Sequence, residues 1–118
     1  MSQSETKKII VVGAGPGGYP AAFLAADLGM DVTMVDPEIN PGGVCLYRGC
    51  IPTKTLLHAA QIINEAKEAE AFGLKFEAPS VDVEALVAKK NEVIGKLTGG
   101  LGHLAKQRKV NYIQGKAR

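Results

Sequence analysis

An α/β fold, built on a parallel sheet with a long helical hairpin set into it, is predicted by three observations. Lys8-Ile9-Ile10-Val11-Val12-Gly13 and Asp31-Val32-Thr33-Met34-Val35-Asp36 are short β-branched runs of the kind buried in parallel sheets. A glycine turn and an alanine-rich stretch join them in under 30 residues, the spacing of a right-handed βαβ unit. Two stretches of helical apolar period, at about 53–72 and 83–107, then precede a last strand-like run at about 110–114.

The elements follow in order. Gly13 to Gly18 turns the chain after the first strand, and Ala21 to Leu28 is helical until Gly29 stops it. Pro20 sits awkwardly near the start of that helix and predicts a late or irregular beginning. After the second strand, Glu38 to Gly43 is a loop containing Pro41 and two glycines. Thr53 to Phe72 places Leu56, Ala60, Ile63 and Ala66 on the helical period, and Gly73 ends it. The next helix starts at about Val83, with Asp82 as its cap, and carries Leu86, Val87, Ile94, Leu97, Leu101 and Leu104. Gly95, Gly99, Gly100 and Gly102 weaken its later half and predict close packing or a bend. Val110 to Gln114 is the third strand.

Three short strands cannot cover two long helices, and a parallel sheet needs cover on both faces. The chain, at 118 residues, is therefore expected to be the front part of a larger protein. Its 14 basic and 12 acidic residues nearly balance, which gives no electrostatic case for nucleic acid or for an anionic membrane. The opening Met1 to Lys8 is polar, and the apolar run after it is too short for a signal core or a membrane span. A cytoplasmic protein is expected, and there a cysteine pair is more often catalytic or metal-binding than structural. Cys45, Cys50, His58 and His103 reach the count zinc requires, but their spacing fits no usual finger, so no metal is expected.

Gly13-Ala14-Gly15-Pro16-Gly17-Gly18 matches G-x-G-x-x-G in the context it needs, after a strand and before a helix. Gly13 allows the tight turn, Gly15 a close backbone approach to a pyrophosphate, and Gly18 the packing of helix on strand. The helix start then offers free N–H groups and a partial positive charge to phosphate. Asp36 closes the second strand 18 residues after Gly18, where an acid accepts ribose hydroxyls. A glycine turn that binds nothing would not need the strand, the helix and the acid together. The fingerprint by itself leaves FAD and NAD both open.

The only two cysteines stand five positions apart in Gly42-Gly43-Val44-Cys45-Leu46-Tyr47-Arg48-Gly49-Cys50-Ile51-Pro52-Thr53-Lys54. Five residues of regular helix rise about 7.5 Å, beyond the roughly 4.4–6.8 Å that a disulfide allows between Cα atoms. A bond between them requires a distorted segment, for which Gly49 supplies the freedom. Pro52 near the first helical position puts Cys50 at a helix amino terminus with Lys54 one turn on, and both features favour thiolate. Cys45 lies outside the helix and has less help, which divides the labour: Cys50 rests as thiolate and Cys45 exchanges with substrate.

The fingerprint, Asp36, Gly42-Gly43-Val44-Cys45-Leu46, Gly49-Cys50-Ile51-Pro52 and Lys54 resemble the disulfide flavoprotein oxidoreductases, the pyridine nucleotide-disulfide oxidoreductase family. The following Thr55-Leu56-Leu57-His58 and Leu97-Thr98-Gly99-Gly100-Leu101 are similar to its dihydrolipoamide dehydrogenase branch, so the resemblance spans nearly the whole chain. It implies the N-terminal part of a Rossmann-like FAD-binding domain, with the βαβ fingerprint at 8–36 and the redox-disulfide segment at 42–54. The cofactor it implies is FAD, with a NAD site on a further domain. Gly13, Gly15, Pro16, Gly18, Asp36, Gly42, Gly43, Val44, Cys45, Lys54 and Ala117 would bind FAD, Ala117 through its backbone. Cys45 would be the interchange thiol and Cys50 the thiolate against the flavin. Electrons would pass from dihydrolipoamide to the disulfide, to FAD and to NAD, in a homodimer concerned with cell redox homeostasis. The partners implied are the lipoyl domains of 2-oxoacid dehydrogenase or glycine-cleavage complexes.

Departures from the family pattern are confined. Tyr47 and Arg48 stand where Asn-Val is common, and Arg48 is expected to face solvent. Thr53 stands for Ser, and Ala117 for Gly. His58 is expected to cap or pack beside the redox helix, and His103 to sit on a helix surface. Neither is the catalytic histidine of the family, so this chain alone is expected not to turn over lipoamide. Two other readings stay open: a related disulfide reductase of glutathione or mercuric type, and a non-catalytic nucleotide-binding fragment. A plain NAD-binding βαβ unit is a further possibility, but it leaves the cysteine motif unexplained.

Overall fold

A computed structural model of the chain describes residues 5–118, so the first four residues of the polar opening lie outside the described residues. Three strands, β1 (Lys8–Val12), β2 (Asp31–Asp36) and β3 (Asn111–Gln114), form one parallel sheet in the order β1-β2-β3. Val12 pairs with Val35, and Asp36 with Gln114, so all three strands end along one edge. That edge is where open parallel sheets bind their ligands.

Alternation decides which side chains are covered. Val32 and Met34 point to one face, where Ala22 and Phe23 of α1 (Gly18–Asp27) and Ala105 and Val110 pack on them. On the opposite face Ile10 is 70% exposed and Val12 68%, so the sheet carries helices on one side only. This follows from supply: α1 and the last turns of the helix that leads into β3 cover the same face, and the other helices pack elsewhere.

The helix α1 starts at Gly18 rather than Ala21. Tyr19 N donates to Gly15 O at 3.0 Å, an i→i−4 bond one residue earlier, so Pro20, with no N–H, interrupts the ladder at Pro16, the irregular beginning its sequence position predicts. Gly29, at φ +85°, ends the element as its sequence position predicts.

Beyond β2 come two helices joined head to tail, α2 (Gly43–Arg48) and α3 (Cys50–Glu68). A short 3-10 turn, Ala69–Phe72, closes α3, and Gly73 at φ +79° caps it. The long helix α4 (Val83–Gln107) returns toward β3, capped by Asp82, whose carboxylate accepts from Ala85 N at 3.0 Å. The hairpin of α3 and α4 projects, which gives a radius of gyration of 20.6 Å and a long axis of 76 Å. A compact domain of this length would have a radius near 13–14 Å. Among the glycines of α4, only Gly102 is tightly packed, against the Asn40 side chain, while Gly95, Gly99 and Gly100 face open space. The expected bend is not needed; α4 is one continuous helix.

Candidate functional site

Two glycine turns meet at the carboxyl edge of the sheet. The first is the fingerprint. Gly13 adopts φ +95°, and its N–H donates to Val35 O at 2.8 Å, which turns the chain sharply out of β1. A Cβ on Gly18 would collide with the carbonyl oxygen of Gly13, with the carbonyl carbon only 2.9 Å away, so glycine there lets α1 begin against the turn. The second turn is Gly42-Gly43, with φ +148° and +62°. It is tied to the first by Gly42 N donating to Ala14 O at 2.8 Å. A Cβ on Gly43 would lie 2.5 Å from Gly15 Cα. Backbone therefore packs on backbone, with side chains excluded from the floor of the cleft.

Gly17 precedes α1, no side chain caps that helix, and no acid lies in its first turn. The first two amides of α1, Gly18 N and Tyr19 N, turn back to Gly15 O at 2.9 and 3.0 Å and Pro20 has none, so what this end offers a pyrophosphate is the positive end of the helix dipole rather than a row of free amides. Asp36 is 7% exposed, and its two carboxylate oxygens accept from Ala14 N at 2.8 Å and Glu38 N at 2.9 Å. The sequence suggests only ribose binding for this residue. In the structure it also staples the fingerprint turn to the end of β2. Each carboxylate oxygen has two acceptor positions, so capacity for ribose hydroxyls remains. Pro16 is exposed beside the turn. Gly115 N donates to Asp36 O at 2.8 Å, and Ala117 follows in the exposed stretch beyond. Gly-lined floor, uncapped helix start and carboxylate together fit a dinucleotide such as FAD.

The cysteines sit beside this cleft, and here the structure corrects the sequence reading. Cys45 is not outside a helix; it is the third residue of α2. Cys50 is the first residue of α3, which begins three residues before Thr53 and makes Pro52 its third residue. The two helices break at Gly49, whose backbone at φ −119° and ψ −104° is not helical. A Cβ there would sit 3.2 Å from Val44 O. The break is the distortion that a regular helix could not provide, and it brings the two thiols together. Both are free; Cys45 is half-buried and Cys50 exposed. The thiol of Cys45 is pushed above its ordinary value, first by hydrogen bonding to the Cys50 side chain, then by burial and the charge of Cys50. Lys54, one turn along α3, pulls weakly the other way.

Val44 is 69% exposed at the open side of α2, and Leu46 is buried on the inner side. An apolar groove of about 580 Å³ runs past Leu46 and Ile51, the residues that directly follow each cysteine, and along Leu97, Leu101 and Leu104 of α4. His103 lines it from the helix surface, whereas His58 is exposed on α3 and caps nothing. The groove was not foreseen from sequence, although the apolar stripe of α4 was. Arg48 is exposed, as expected, and its guanidinium also pairs with the Glu38 carboxylate, which the sequence reading does not include. Tyr47, beside it, holds the Asn40 backbone through its hydroxyl.

Comparison with known proteins agrees with this geometry. The family described as pyridine nucleotide-disulphide oxidoreductase matches residues 7–118. The chain is 47% identical over 117 residues to a dihydrolipoyl dehydrogenase of Haemophilus influenzae, covering 99% of this chain and 24% of that protein. It is 50% identical over 114 residues to a dihydrolipoyl dehydrogenase of Thermus scotoductus, covering 97% and 24%. A leghemoglobin reductase of Vigna unguiculata is 41% identical over 115 residues, covering 97% and 22%. The chain thus spans about a quarter of the length of the relatives it matches. With its fingerprint, its paired thiols and a match over nearly all its residues, the chain belongs to the pyridine nucleotide-disulphide oxidoreductase family.

Proposed function

We propose that this chain is the FAD-binding, dithiol-carrying unit of an oxidoreductase that oxidises dihydrolipoamide. The observation that supports the reading is the break at Gly49 between the two cysteine-bearing helices, with the Cys45 thiol perturbed first by hydrogen bonding to Cys50, next to two glycine turns that meet backbone to backbone. In this reading Gly13, Gly15, Gly18 and the start of α1 hold the pyrophosphate. Asp36 takes the ribose, and Gly42, Gly43 and Val44 close the floor. FAD, when bound, accepts the electron pair of the reduced cysteines and hands it on to NAD.

The step that this chain's own residues perform is thiol–disulfide exchange. Dihydrolipoamide gives two electrons and two protons and closes its own S–S bond, while the Cys45–Cys50 bond breaks to two thiols. One lipoyl sulfur attacks Cys45 and displaces Cys50; the second then closes the lipoyl S–S bond and displaces Cys45, which, with its thiol raised, is the slower of the two to leave and takes up a proton as it does. Cys50, at the helix amino terminus near Lys54, is placed to keep the negative charge. The apolar groove beside Leu46 and Ile51 favours the hydrocarbon arm of a lipoyl group over glutathione, whose carboxylates would find few cations there: Lys96 is already paired with Glu92 at 2.7 Å. By the same reading the partners are lipoyl domains of 2-oxoacid dehydrogenase or glycine-cleavage complexes.

Titration with FAD and separately with NAD, followed by flavin and protein fluorescence, tests the cofactor. Saturable binding of FAD is expected. Binding of NAD with none of FAD would replace this reading with a plain NAD-binding unit.

A further inference from the structure

The helix that carries Cys45 has six residues and a glycine on each side. A helix that short does not hold itself together; isolated helices need about 12–15 residues. Something outside α2 must fix it. Leu46 does so on the inner side, packed on Gly42 and Thr98. On the outer side the work falls to the next two residues. The Tyr47 hydroxyl accepts from Asn40 N and donates to Asn40 O, both at 3.2 Å. Arg48 pairs with Glu38. Glu38 is itself anchored, because its N–H donates to Asp36 Oδ1 at 2.9 Å and its carbonyl accepts from the Tyr112 hydroxyl at 2.7 Å. Polar contacts therefore run from the cysteine-bearing helix to β2 and β3.

We infer that Tyr47 and Arg48 are positioning residues for the thiol–disulfide cycle, holding Cys45 within bonding reach of Cys50 while both are reduced. The inference rests on the reading of the two cysteines as a redox pair. Its physics is an asymmetry between the two states. In the disulfide form the S–S bond itself ties α2 to α3, so losing the outer contacts changes little. In the dithiol form only packing and these contacts keep the sulfurs adjacent, and freedom gained there favours the dithiol. Loosening α2 thus makes the disulfide harder to form.

The test is the equilibrium of the holoprotein with glutathione. The protein dithiol gives two electrons and two protons to glutathione disulfide; its Sγ–Sγ bond forms, the glutathione S–S bond breaks, and two glutathione thiols result. The ratio of dithiol to disulfide is read by mass after acid quenching and alkylation. Arg48→Ala is expected to lower the equilibrium constant for disulfide formation about threefold, and Tyr47→Phe about fivefold to tenfold. Arg48→Lys, and the charge exchange of Glu38→Arg with Arg48→Glu, are expected to stay within about twofold of wild type because an ion pair is kept. Arg48 is 63% exposed, so its replacement leaves the core intact and decides the matter even should Tyr47→Phe fail to fold. An equilibrium constant unchanged in Arg48→Ala would overturn the inference. A wild-type protein that forms no internal disulfide at any glutathione ratio would overturn the redox-pair reading beneath it, which is a separate failure.

Discussion

Replacing Gly43 by alanine probes the cleft at its narrowest point. The new Cβ would stand 2.5 Å from Gly15 Cα, where real Cβ atoms keep at least 3.0 Å, so the two turns must part by roughly half an ångström. Both atoms belong to backbone and neither can swing aside. Gly43 also has φ +62°, a conformation that costs a residue with a side chain about 1 kcal/mol. Overpacking adds about 1–3 kcal/mol, so the total destabilisation is about 2–4 kcal/mol. With a urea slope of about 2 kcal/mol per molar, the unfolding midpoint of the holoprotein falls by about 1–2 M. Parting the turns also moves the floor of the cofactor site, and FAD affinity is expected to drop about tenfold, roughly 1.4 kcal/mol. Gly99→Ala is the control: nothing lies within 4 Å of its built Cβ, and it sits in the interior of α4. It should stabilise the protein by about 0.5–1 kcal/mol through helix propensity. A Gly43→Ala protein with a midpoint within about 0.3 M of wild type and unchanged FAD binding would refute the claim that the two turns touch.

Three further outcomes follow from the same site. Gly18→Ala should destabilise by about 3 kcal/mol, measured by urea unfolding, because its Cβ would meet the Gly13 carbonyl and α1 must shift off β1. Asp36→Asn leaves one of two amides, Ala14 N or Glu38 N, facing an NH2 group, and should cost about 1–3 kcal/mol while weakening FAD binding. For Cys45, the folded-state thiol is shifted above its ordinary 9.0, first through hydrogen bonding to Cys50. A raised folded value gives stability that is complete below the unfolded value and is lost as pH rises through the folded one. The reduced protein should therefore lose stability on the alkaline side of pH 9.0, and Cys50→Ala should flatten that loss; a pH series of unfolding midpoints checks both.

Much of this site is legible in the chain because its determinants are local. A glycine that needs positive φ or close approach, as at Gly13, Gly18 or Gly43, stands out as a glycine. The strands and α4 declare themselves through period and cap. What escapes a linear reading is whatever depends on partners distant in sequence. The helix α2 is hidden because Gly42, Gly43 and Gly49 surround only six residues, too few to show a period. Asp36 is readable as an acid at a strand end, but not as an acceptor for the amide of Ala14, 22 residues back. Arg48 reads as a surface charge and is one; what the sequence hides is its partner Glu38, ten residues back. The weak glycine-rich half of α4 invites a bend, yet only Gly102 has a neighbour to accommodate. The shortage of strands relative to helices is legible in the sequence, but not that Ile10 and Val12 would be left bare, because only α1 and the last turns of α4 reach the sheet and both lie on its other face.

The most direct test is the visible spectrum of the FAD-loaded protein before and after one equivalent of dihydrolipoamide. The account predicts that a long-wavelength shoulder appears on reduction, from the Cys50 thiolate lying against the flavin, and that Cys50→Ser abolishes it while FAD stays bound. A flavin spectrum that never acquires the shoulder in the wild-type protein, although both cysteines are shown to be reduced, would contradict the placement of the cysteine pair beside the cofactor.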